Sequence, residues 1–156
     1  MKHPPSQMIW GAMSHAGTSG LFFLPPQTTM NGPKYVALLQ DHLKTSMHTH
    51  KCKIFMQDGA PCHRSKVVKD FLSKNKVTVL DWPGNSPDLN PIENLWKVMK
   101  DKVADRQPSN AKALEEAIKQ FWETEISVEY CRSLISSMPR RRIEEVIRNR
   151  GGHTKY

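Results

Sequence analysis

At 156 residues, 38% hydrophobic and 24% charged, the chain has enough material for one packed domain, and its composition is not that of a disordered tail. A formal net charge of +8 favours a polyanionic partner, nucleic acid first, although a plain basic surface explains charge alone equally well. Three cysteines (Cys52, Cys62, Cys131) are too few for a disulfide framework, and no apolar run approaches the roughly 18 residues of a membrane span.

In chain order, Gln7 to Ser14 (QMIWGAMS) reads as a strand and Leu21 to Leu24 (LFFL) as another, with a hairpin turn over Gly17 to Gly20. Asn31 caps a helix with Pro33 in its first turn, and Tyr35, Leu38, Leu39, His42 and Leu43 recur at helical spacing. Lys53 to Gln57 (KIFMQ) is a short strand ending at Asp58. Val67, Val68, Phe71 and Leu72 mark the inner side of the next helix, and Val77 to Leu80 (VTVL) is a further strand. A turn-rich loop, DWPGNSPDLNP, leads into helices from Pro91 to about Ala104, Ala111 to about Trp122, and Val128 to Ser137. The tail, MPRRRIEEVIRNRGG, reads as a short basic helix ended by Gly151 and Gly152. Strands alternating with helices predict an α/β layer architecture, residues 1–105, with a C-terminal helical extension over 106–156.

Two acids raise a question about chemistry. Asp58 ends a strand and is followed by Gly-Ala-Pro, so it either caps a turn or holds a metal. Glu93 sits third in a helix opened by Asn90 and Pro91. It either completes a capping box or presents a carboxylate. Glu93, Lys97 and Lys100 share one edge, off the stripe of Ile92, Leu95, Trp96, Met99 and Val103. That edge suits a metal ligand beside a phosphate backbone, and equally a solvated face with an i,i+4 pair.

The blocks MIWGAMS, MNGPKYVALL, FMQDGAPCH, VLDWPGNSPDLNPIENLW and EYCRSLISSMPRRRIEEVIRNRGGHTKY, in this order, resemble the catalytic domain of the Tc/mariner superfamily of DDE transposases, on its Tc-type branch. The resemblance implies an RNase H-like fold. It makes Asp58 and Glu93, with 34 residues between them, the second and third acids of the catalytic and metal-binding set. It also implies two Mg²⁺ or Mn²⁺ ions, cleavage and strand transfer of DNA at transposon ends and target, and a nuclear location. Hard divalent ions prefer oxygen ligands, so carboxylates suit this chemistry. The family's first aspartate lies on a strand preceding the MIWGAMS block, and no residue of this sequence matches it. The expectation is a partial fold lacking its first central strand, marginal stability and no catalysis by these residues alone. The alternatives are a non-catalytic DNA- or protein-binding module, and a chain completed by a homodimer partner or another transposase chain.

Within the same resemblance Gly59 replaces a common Asn, which puts a supporting hydrogen bond in doubt. His63 matches a recurrent histidine, read either as a contact near metal or DNA or as a polar residue at a helix start. Arg140, Arg141 and Arg142 form a basic cluster that fits phosphate contact, a nuclear localisation signal or a solvated face, since Glu144 and Glu145 interrupt it. His48, His50, Cys52, Cys62 and His63 do not have zinc-site spacing.

Overall fold

The computed structural model describes residues 6–152, apart from the side chains of Arg140 and Arg141. The chain divides into two compact units, Thr29–Asn90 and a second made of the residues up to Thr28 with those from Pro91 onward.

The first unit is a helix followed by a β-α-β element. Helix α1 (Gly32–Thr49) starts where the Asn31 side chain accepts from Lys34 N at 3.0 Å, with Pro33 in the first turn. Tyr35, Leu39 and Leu43, one turn apart, are its buried stripe and pack toward α2 (Lys66–Lys74). Strand β5 (Ile54–Phe55) runs parallel to β6 (Thr78–Val79), with Ile54 opposite Thr78 and Phe55 opposite Val79. Both strands are shorter than the apolar runs predict. In α2 only Val68 and Leu72 are buried, and Val67, expected inward, is exposed.

The second unit opens with antiparallel pairs. Strand β1 (Ile9–Trp10) pairs with β4 (Phe22–Phe23), and β2 (Met13–Ser14) with β3 (Gly17–Thr18). The single strand expected over Gln7 to Ser14 is therefore interrupted at Gly11 and Ala12, where Ala12 N donates to Ser19 Oγ at 2.8 Å. The indole of Trp122 lies against Gly11, where an added Cβ would sit 2.9 Å from the ring, and Trp122 Nε1 donates to Ser19 O at 2.7 Å. The hairpin turn also falls earlier than predicted. Gly17 is in a strand, and His15 and Ala16 make the turn, which Ala16 N closes on Ser14 Oγ.

Helices α3 (Pro91–Asp105) and α4 (Ala111–Thr124) build this unit's core. Leu95, Met99 and Val103 meet Leu114, Ala117, Ile118, Phe121 and Trp122, and the Trp96 and Trp122 rings stack at 5.1 Å. Burial of each Leu, Ile, Val, Met or Phe among them contributes roughly 1.5–3 kcal/mol. The loop between these helices is braced by Arg106, which pairs with Glu125 and donates to Gln120 Oε1. Helix α5 (Val128–Ser137) follows, capped by Ser127. A π-helical turn, Met138–Arg142, then leads into α6 (Ile143–Arg148). None of the helices among the described residues is long and apolar enough to cross a membrane.

Candidate metal-binding carboxylates

Asp58 leaves the end of β5 in a tight loop. Gly59 N donates to Gly84 O at 2.8 Å, which ties the acid's loop to the DWPGNSPDLNP segment. The approach is too close for side chains. A Cβ on Gly84 would lie 2.8 Å from Gly59 N, and one on Gly59 would lie 2.6 Å from Asn85 Oδ1. The position where the resemblance expects Asn is thus filled from across the loop by Asn85.

One carboxylate oxygen of Asp58 is committed. Oδ1 accepts from Ala60 N at 3.0 Å and lies 2.5 Å from His63 Nδ1. Oδ2 takes no hydrogen bond among the described residues, and the side chain is 44% exposed. Oδ1 thus caps the turn, and Oδ2 is an oxygen of the kind Mg²⁺ and Mn²⁺ favour. His63 is held in turn. The Tyr35 ring lies against the imidazole at 4.1 Å, Tyr35 Oη bonds Gln57 Oε1 at 3.1 Å, and Gln57 Nε2 donates to His63 O at 3.4 Å. Trp82 Nε1 donates to Gln57 O at 2.8 Å.

Glu93 lies in the first turn of α3, where a negative charge complements the helix dipole. It is half-buried, and Lys97 and Lys100 are exposed on the same helix. Lys100 also borders an apolar groove of about 780 Å³ that includes Met8, Trp96 and Val103. Asp58 and Glu93 belong to different compact units. Among the described residues no three of His, Cys, Asp and Glu gather as a metal cluster. The donor chemistry of the two acids nonetheless fits a divalent ion.

The arginine cluster requires a correction. Arg142 is 1% exposed and faces inward: Nη2 donates to Asn94 Oδ1 at 2.5 Å and Nε to Ser137 Oγ at 3.1 Å. Its guanidinium is used inside the fold, so it is not a phosphate contact. The side chains of Arg140 and Arg141 lie outside the described residues. Nearby, burial pushes the Tyr130 phenol above its ordinary value, the Cys131 thiol adds to this, and Arg142 opposes it. Burial likewise pushes the Cys131 thiol up, which leaves it protonated and inert at neutral pH.

Sequence reasoning did not single out Tyr35, Gln57 or Trp82 as supports of Asp58, nor Asn94 as the partner of Arg142. Gln57 and Trp82 were within reach, since each adjoins an acid in its block. Tyr35 read as one of the residues at helical spacing in the first helix, and nothing in the sequence marked Asn94.

The model of the DDE superfamily endonucleases matches residues 2–115. With that match, the chain belongs to the DDE superfamily endonucleases, and it is similar to transposases of the Tc/mariner type. It is 33% identical over 157 residues to the transposable element Tcb2 transposase of Caenorhabditis briggsae, covering 97% of this chain and 55% of that protein. It is 32% identical over 153 residues to the Tc1 transposase of Caenorhabditis elegans, again covering 97% and 55%. The chain thus spans about half the length of these curated relatives. In fold it is similar to the catalytic domain of Mos1 mariner transposase, with TM-score 0.85, 21% identity, and 99% and 78% of the two chains covered. The Mos1 catalytic domain with raltegravir and Mn matches at TM-score 0.85 and 21% identity, covering 97% and 78%. The Mos1 strand transfer complex matches at 0.83 and 23%, covering 96% and 44%. The RNase H-like expectation is met.

Proposed function

We propose that these residues contribute two acids, Asp58 and Glu93, to a divalent-metal-dependent site that cleaves DNA and transfers the freed strand. The observation that carries this reading is the Asp58 carboxylate, fixed through Oδ1 with Oδ2 open, on a loop tied from Gly59 N to Gly84 O. Glu93 would supply the second carboxylate from the rigid start of α3. Mg²⁺ or Mn²⁺, when bound, activates the attacking oxygen and steadies the leaving one during in-line displacement at phosphorus. The Mos1 neighbours solved with Mn and in a strand transfer complex support a divalent ion and DNA as the relevant partners. The net charge of +8 and the exposed Lys97 and Lys100 suit the approach of a phosphate backbone.

On this reading Asp58 and Glu93 are two of the ligands of a two-metal site, and the 156 residues by themselves are expected not to cut DNA. Completion by a second transposase chain, as a homodimer or otherwise, and action in the nucleus belong to the same reading. The test is nicking of supercoiled plasmid by the purified chain in Mg²⁺ or Mn²⁺. The expected result is none above background, and vigorous nicking lost in Asp58→Ala would overturn it. The exposed lysines favour a second reading, a non-catalytic DNA-binding module. It predicts salt-dependent DNA binding that survives the double change Asp58→Asn, Glu93→Gln.

A further inference from the structure

We infer that His63 is a positioning residue for Asp58, holding the carboxylate in one rotamer so that Oδ2 faces outward. The inference rests on reading Asp58 as a ligand. Two observations carry it. The first is the contact itself: Nδ1 lies 2.5 Å from Oδ1, on the same oxygen that Ala60 N engages. Two donors on one oxygen fix the plane of the carboxylate, whereas the turn bond from Ala60 alone leaves its torsion soft. The second is that both the ring and the backbone of His63 are engaged. The Tyr35 ring, itself 3% exposed, covers one face at 4.1 Å. Gln57 bridges the Tyr35 hydroxyl and the His63 carbonyl, and Trp82 holds the Gln57 carbonyl. A histidine that merely filled a polar position before α2 would not need such a frame. With Nδ1 committed to the acid, only Nε2 remains to meet solvent or phosphate, so the sequence reading of His63 as a DNA contact is narrowed to that atom. A partner of this kind acts on a ligand by orienting it, and its loss typically costs about 10–100-fold in metal affinity.

The test compares His63→Ala with His63→Asn, whose amide nitrogen can stand close to where Nδ1 stood. Three readouts separate positioning from a merely structural role. Nitrogen NMR of the wild-type ring is expected to show the proton on Nδ1, and a bare Nδ1 would overturn the inference. The χ1 couplings of Asp58 are expected to report one rotamer in wild type and His63→Asn and averaging in His63→Ala. Equal couplings in all three would overturn it too. Mn²⁺ titration by electron paramagnetic resonance is expected to weaken about tenfold in His63→Ala and to recover within about threefold in His63→Asn. If the wild-type chain binds no Mn²⁺, the ligand reading of Asp58 falls, while the ring proton and the couplings still decide the positioning role. Unchanged methyl spectra identify the variants as folded.

Discussion

The two acids are held in place in contrasting ways. Asp58 is set mostly by its own neighbourhood: Ala60, two residues on, and His63, five residues on, meet its Oδ1, and the SPDLNP-side loop closes over it through Gly84. Glu93 stands on a helix whose first turn is tied down by Arg142, 48 residues beyond Asn94. The first arrangement is completed by residues of the unit Thr29–Asn90. The second needs the C-terminal segment to be folded against α3. One carboxylate is therefore robust to events at the end of the chain and the other is not.

The sharpest way to break this contrast is Arg142→Ala. It leaves Asn94 without its donor and removes a buried side chain, and about 2–4 kcal/mol of stability is expected to be lost in urea unfolding. Hydrogen exchange is expected to speed at the start of α3 while the Gly59 amide keeps its protection. Equal loss at both places would erase the distinction. Arg142→Lys is expected to recover less than half, because one ammonium cannot span Asn94 and Ser137 as the guanidinium fork does.

A smaller effect probes the local side. Gly84→Ala drives a Cβ into the Gly59 backbone and is expected to cost about 1–3 kcal/mol. Gly59→Ala is expected to cost less, because the nearest obstacle is the Asn85 side chain, which can swing away. The reverse order, measured by thermal unfolding, would show that the loop, not the side chain, gives way at Gly59.

The smallest change sharpens the comparison in the stabilising direction. Helix α2, which follows the Asp58 loop, is succeeded past its cap Asn75 by Lys76 at φ 55°, with Lys76 N and Val77 N returning to Ser73 O and Leu72 O. That left-handed position favours glycine, so Lys76→Gly is expected to add about 0.5–1 kcal/mol without altering Asp58.

Helix starts were legible in the sequence because caps and periodicity act within four residues. Asn31, Asn110 and Ser127 each accept from a backbone N–H three residues on, as their side chains dictate. Helix ends were less so. Lys51, Lys76, Gln107 and Arg150 take the left-handed position where a reader looks for glycine, and at the tail Arg150 precedes the Gly151 that was expected to end the helix. Asp58 and Glu93 could be picked out by type and place, at a strand end and a helix start.

The sequence by itself determined where the main helices start, the alternation of strands and helices between Asn31 and Pro91, and the family, because each is written in neighbouring residues or in contiguous motifs. Only tertiary structure decided that Trp122 packs against Gly11, that Val67 faces out, that Arg142 faces in, and that Tyr35 closes on His63. Each of these depends on which distant side chain arrives to exclude water or supply a hydrogen bond, and neither charge nor periodicity carries that information.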